Sequence, residues 1–158
     1  MRLLWDEFVV GEKRTGPLRT ITADDILIHA TETGDFYPHH MDAEWCATQP
    51  FKKRMAHGTL VLSVMVGSLA DEINEAAMSY GYDRVRFIAP VYIDDSIRAH
   101  SEIVAKCEHT KNPDSYGFID ENVVVKNQNE ETVMAFTHIY LVDRKLAARN
   151  YILQFGLQ

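Results

Sequence analysis

Ile97, Ala99, Ser101, Ile103, Ala105 and Cys107 alternate along the chain with Arg98, His100, Glu102 and Lys106. A period of two puts one set of side chains on each face of an extended backbone, so this run commits the chain to a half-buried β-strand. Tyr116 to Lys126 and Val133 to Val142 read as two more strands, and Val85 and Phe87, followed by Pro90, end another. Asn112-Pro113-Asp114 and Asn127-Gln128-Asn129-Glu130 lie between them and have the composition of hairpin turns. Strands joined by connections this short run antiparallel.

The first half of the chain has a different period. Residues 1–16 read as an irregular lead-in, and Leu18 to Ile21 as a short edge strand. Thr22, with Asp25 three positions on, starts a helix that Gly34 can end. Pro38 forces Tyr37 to be extended, so Asp35 to His39 reads as loop. Asp42 caps a short helix through Ala47, and Pro50 stops it. The next helix is expected from about Gly58 to about Met78. Its first half is apolar on most sides, as a buried helix is, and its second half turns polar and emerges. Helices followed by a run of antiparallel strands make an α+β fold, with a curved sheet wrapped around one long helix. The open edges of such a sheet favour pairing across a two-fold axis.

The totals bound the function. A length of 158 residues, 46% hydrophobic and 25% charged, suits one globular domain over residues 1–158. A net charge of −7 gives no electrostatic support for nucleic-acid binding. Cys46 and Cys107 form neither a metal spacing nor a disulfide framework. The N-terminal residues lack a signal-peptide core, and Val61 to Ala70 is too short and too interrupted to span a membrane. The expected location is the cytoplasm, with no membrane partner.

Acid/base chemistry gathers between Thr33 and Gly67. Asp35 and His40 lie upstream of Ala56-His57-Gly58, which opens the apolar helix. That helix start offers unpaired N–H groups and a positive dipole end, and Gly58 lets an oxygen come close. A carboxylate, an imidazole and such an N–H site suit adding water to, or removing it from, a double bond conjugated to a carbonyl. Structural readings stand beside this one. Gly34-Asp35 can be a helix end with an Asx turn, and His39 and His40 surface residues. His57 can cap or pack, and Ser63 can bond back to its own helix. His29, His100, His109 and His138 read as solvated. Lys52, Lys53 and Arg54 are a charged loop or contacts to the phosphates of an acyl carrier. The histidines show no zinc spacing, so no metal is expected.

Gly34-Asp35-Phe36-Tyr37-Pro38-His39-His40 followed by Ala56-His57-Gly58 resembles the MaoC-like dehydratases and (R)-specific enoyl-CoA hydratases. Their motif is Gly-Asp-x-Asn-Pro-aliphatic-His, with a downstream His-Gly. Val85 to Val91 and Val125 to Glu131 are similar to two further family stretches, and the likeness spans about residues 18–143. It implies a hot-dog fold and a homodimer with the sheets joined edge to edge. It also implies a hydro-lyase for a 2-enoyl thioester, CoA the expected carrier, using no cofactor. Asp35 and His40 would be the catalytic pair, with the thioester oxygen on the Gly58 N–H. Tyr37, Phe36, His57 and Ala56 complete the implied substrate-binding set. Tyr37 stands where the family has Asn, His39 where it has an aliphatic residue, and Val66 where some members have serine. A hot-dog thioesterase and a non-catalytic acyl-thioester-binding subunit are the alternatives.

Overall fold

The computed structural model describes residues 3–70 and 74–145. A 3-10 turn at Trp5–Glu7 precedes β1 (Lys13–Thr15) and β2 (Arg19–Thr20). Then come α1 (Ala23–Thr33), α2 (Pro38–Met41), α3 (Ala43–Thr48) and α4 (Gly58–Ser68). Strands β3 (Ala77–Phe87), β4 (Ser96–Glu108), β5 (Tyr116–Lys126) and β6 (Thr132–Asp143) follow. The α+β order is the one the sequence predicts.

The sheet is antiparallel and six-stranded, in the order β1-β4-β5-β6-β3, with β2 also on β4. After α4 the chain runs to the far edge as β3 and crosses back to β4. Leu60, Val61 and Met65 of α4, with Leu69 just beyond its end, pack on Ile97, Val123, Val125 and Phe136 of the sheet. Each such fully buried side chain contributes roughly 1.5–3 kcal/mol relative to exposure. One face of the sheet therefore holds α4, and the N-terminus of α4 is placed beside α1 and α2.

Local signals behave as their chemistry dictates at α1. Thr22 Oγ1 accepts from the Asp25 N–H, the Asp25 carboxylate accepts from the Thr22 N–H, and Gly34 closes the helix at φ 78°. Asp42 caps α3 by accepting from the Trp45 N–H at 2.8 Å.

Four expectations are corrected. The lead-in is not irregular throughout, because Lys13–Thr15 pairs with β4. His39 is not in loop: Pro38 fills the first position of α2, where its missing N–H costs nothing. The central helix ends at Ser68, about three turns long rather than about six. Leu69 and Ala70 turn, and Ala77 and Met78 pair with Val142 and Leu141 of β6, so sheet pairing overrides local helix preference there. Of that expected helix, residues 71–73 lie outside the described residues.

The fourth correction concerns β4 and its neighbours. A bulge between Ile103 and Ala105 moves the inner face from odd to even positions. Lys106 thus pairs with buried Ile119 and lies 4.7 Å from the Trp5 ring, while Cys107 is exposed. His138, read as solvated, is buried on β6 opposite Glu121 of β5.

Candidate active site

Gly34 ends α1 in the left-handed conformation and turns the chain into Asp35, whose carboxylate accepts from the Tyr37 N–H at 3.3 Å. Pro38 then starts α2, which buries His40. The segment leading into α4 passes beneath. The Met55 N–H donates to the His39 carbonyl at 3.0 Å and the Ala56 N–H to the Val91 carbonyl at 2.7 Å. This brings α2, residues 55–58 and the stretch after β3 to one place.

His40 Nδ1 lies 2.8 Å from the Met55 carbonyl oxygen. A carbonyl only accepts, so Nδ1 carries the proton and Nε2 keeps its lone pair. Burial holds the His40 imidazole below its ordinary value of 6.5, and the His57 and His39 rings push the same way. The Met55 carbonyl and Asp35 pull against them. The ring is therefore neutral at neutral pH, with one nitrogen able to take a proton.

His57 is buried at 2% exposure and stacks on His40 with ring centroids 3.7 Å apart. Its Nε2 donates to the Asp35 main-chain oxygen at 2.9 Å and stands 4.0 Å from the Asp35 carboxylate. Asp35, His40 and His57 each place one ligand-type atom within 4.8 Å of the others, so the residues that Pro38 separates in sequence do converge. Such a trio is also what a metal ion would require, although carbonyls already engage one nitrogen of each imidazole.

Beside this group is a cavity of about 540 Å³ walled by His40, Ala56, Gly58, Val61, Phe87 and Met134 among others. Gly58 is the first residue of α4, and its N–H has no acceptor within the helix. A β-carbon there would lie 2.6 Å from the Phe87 ring, so only glycine fits under that ring. The cavity offers an apolar chamber with a positive helix end and a neutral imidazole in its wall. It suits a molecule carrying an apolar tail and a carbonyl.

The remaining expected residues divide. Ala56 and His39 line the cavity. Asp35, Phe36 and Tyr37 do not; Asp35 is 52% exposed in its side chain, and the Tyr37 ring leans on His39 at 4.4 Å. Lys52, Lys53 and Arg54 line a separate cavity of about 300 Å³ with Ala43, Tyr92 and Ile93. That cavity shares its chain segments with the first, through the bridge between Met55 and Tyr92. Ser63 Oγ bonds back to the Thr59 carbonyl at 2.9 Å, as a mid-helix hydroxyl does.

Two participants escape the sequence reading. His29, taken as solvated, bonds Thr59 Oγ1 at 2.9 Å and stands 4.8 Å from the His57 ring. Its position three residues after buried Ile26 and one before buried Ala30 is the available signal, since those share the inward stripe of α1. Phe87 is the other. No pattern in sequence places the end of a strand over a helix N-terminus.

Known proteins resemble this chain in sequence and in fold. The family described as MaoC like domain matches residues 7–126. A 3-hydroxyacyl-thioester dehydratase Z of Mycobacterium tuberculosis is 34% identical over 89 residues, 54% of this chain and 59% of that protein. The chain spans 29–62% of the length of the first curated relatives it matches. The crystal structure of a monoamine oxidase regulatory protein from Archaeoglobus fulgius superposes with a TM-score of 0.85 at 33% identity, covering 91% of this chain and 96% of that one. A Mycobacterium tuberculosis protein described as a double hot-dog superposes with a TM-score of 0.79 at 17% identity, over 92% of this chain and 46% of that one. The architecture is a hot-dog fold.

Proposed function

The chain belongs to the MaoC-like domain family, and from that premise we propose that it reversibly hydrates a 2-enoyl thioester to a 3-hydroxyacyl thioester. Relatives named as a 3-hydroxyacyl-thioester dehydratase, an (R)-specific enoyl-CoA hydratase and a 3-hydroxybutyryl-CoA dehydratase support the reaction class. The observation that carries it is the meeting of Asp35 and neutral His40 beside the Gly58 helix start.

In this reading the thioester oxygen sits at the Gly58 N–H. As water adds to the double bond, negative charge moves onto that oxygen, where a fixed N–H and the helix dipole stabilise it most. His40 and Asp35 share the two proton movements, one drawing a proton from water and the other serving Cα. Both movements are acid/base steps, so the chemistry calls for no cofactor and no metal. The apolar wall of Val61, Phe87 and Met134 takes the acyl chain. Lys52, Lys53 and Arg54, in the adjoining cavity, take the phosphates of CoA.

A homodimer belongs to the same proposal. Strand β3 is an edge strand, and Met78, Tyr80, Tyr82 and Phe87 along it are exposed. Joining two β3 edges pairs their free backbone groups and covers those side chains. Among the described residues no helix is long and apolar enough to cross a membrane, and a cytoplasmic site of action fits a CoA thioester.

Crotonyl-CoA tests the reading. Loss of the enoyl thioester absorbance without thiol release is the expected result. Thiol release instead would make the protein a thioesterase. No change in either channel across short, branched and long enoyl thioesters would leave the non-catalytic binding role.

A further inference from the structure

His57 stands at the N-cap of α4, yet its side chain makes no capping hydrogen bond. Its Nδ1 is buried without a hydrogen-bond partner among the described residues. Neither helix capping nor packing accounts for an imidazole here, because an apolar side chain would fill the space without orphaning a buried nitrogen. The Nε2 atom has a specific partner: the main-chain oxygen of Asp35, 22 residues away in sequence, at 2.9 Å.

That bond matters because of how Asp35 is otherwise held. Its own hydrogen bonds are local and long, 3.4 Å from its N–H to Thr33 Oγ1 and 3.3 Å from the Tyr37 N–H to its carboxylate. The turn it occupies is exposed, following Gly34 at a positive φ. His57 in contrast is rigidly placed. It precedes α4, stacks on His40 at 3.7 Å, and has His29 at 4.8 Å on its other side. His29 is itself tied to Thr59 in the first turn of α4.

We infer that His57 is a positioning residue, which fastens the Asp35 turn to α4 through the Asp35 carbonyl and thereby fixes the Asp35 carboxylate relative to His40 and the Gly58 N–H. Its action is through the backbone of Asp35, not through contact with substrate. The inference rests on the hydratase reading for its catalytic consequence, but the fastening itself is a property of the fold. One anchored carbonyl sets where a carboxylate on an otherwise loose turn can point. Misplacement of a reacting group by about 1 Å is enough to cost about 100-fold in rate.

Two variants test this. His57→Gln presents a side-chain N–H near the place of Nε2, whereas His57→Leu fills the space and donates nothing. Amide order parameters of Asp35, Phe36 and Tyr37 are read by nitrogen-15 relaxation, and crotonyl-CoA hydration is followed on the same samples. In His57→Leu the order parameters should fall from about 0.85 to below about 0.6, and kcat should drop about 100-fold with KM unchanged. His57→Gln should recover most of both. Unchanged order in His57→Leu overturns the inference, whatever happens to the rate. Recovery of order without recovery of kcat in His57→Gln also overturns it, because His57 would then exchange protons itself. Loss and recovery of order in a protein that hydrates no enoyl thioester would uphold the fastening and reject the hydratase reading instead.

Discussion

His40 donates its Nδ1–H to the Met55 carbonyl at 2.8 Å, across 15 residues of sequence, and so presents an unprotonated Nε2. Burial and the neighbouring His57 ring keep His40 below its ordinary value of 6.5. A proton-accepting His40 is needed neutral, so kcat/KM for hydration should stay level as pH falls through 6.5 and decline only further down. An acid limb at or above pH 6.5 in the free enzyme would contradict this assignment. His40→Ala and Asp35→Ala should each lower kcat by about 10²–10⁴-fold. Their thermal unfolding should show that the fold persists.

Gly58 and Phe87 make a second test. The missing β-carbon is what allows the ring within 2.6 Å of that point, so Gly58→Ala must displace Phe87 or the start of α4. Overpacking of this kind costs about 1–3 kcal/mol, and hydration should be lost along with the close approach at the N–H. Adding Phe87→Ala removes the clash. The double variant should therefore be more stable than the sum of the two single changes predicts, a coupling of about 0.5–3 kcal/mol in a double-mutant cycle. Strict additivity would show that the ring does not press on Gly58.

The difference between what the sequence showed and what it hid follows the range of the interactions. The Thr22 and Asp25 capping box, the Gly34 terminus and the Asp42 cap were legible because each signal and its effect lie within a few residues. Strands β5 and β6 were legible to within a residue or so, since alternation reports burial directly. The end of α4 was not. Ala77 and Met78 are good helix formers, and only β6, some sixty residues on, makes them a strand. Cys107 fell on the wrong face because the bulge in β4 is invisible to a strict period. His138 alternates in phase with buried Met134, Phe136 and Val142, so its inward place was legible from the period, and only its polarity argued for solvent. Asp35 and His40 stand out as candidates through their motif, but the ladder of His29, His57 and His40 rings needed α1 and α4 side by side.

Lys52, Lys53 and Arg54 gather around one cavity in a chain whose net charge is −7. If they hold CoA phosphates, replacing all three with alanine should raise KM for crotonyl-CoA and leave kcat nearly intact. The wild-type KM should also rise with salt, because charge pairs at the surface are screened over about 8–10 Å at moderate ionic strength. A wild-type KM that does not move with salt would remove these residues from the substrate site. Crotonyl-pantetheine lacks the nucleotide phosphates and should respond to neither change.

Among the described residues, the inner face of the sheet carries a polar cluster around Glu121, which should contribute to the acid sensitivity of the fold. Glu121 is fully buried and accepts from Arg14 and from the Tyr140 hydroxyl at 2.8 Å. His138, opposite it on β6, bonds Ser79 Oγ at 2.8 Å, and burial pushes it down to about 4 against the pull of Glu121. The unfolded chain returns this imidazole to about 6.5. Between those two values the unfolded state binds the proton that the folded state refuses, so stability is present above pH 6.5 and drains away as pH falls toward 4. The loss from this residue has an upper limit of about 3 kcal/mol. Urea midpoints measured from pH 7.5 to 4 should fall in that window, and should fall less in His138→Gln. Breaking the pair is the companion experiment. Glu121→Leu alone leaves the partly exposed Arg14 uncompensated and should cost less than the roughly 3–5 kcal/mol of a fully buried pair, whereas Arg14→Met with Glu121→Leu should recover much of it. A double variant as unstable as the sum of its parts would mean that the cluster stabilises the sheet in its own right.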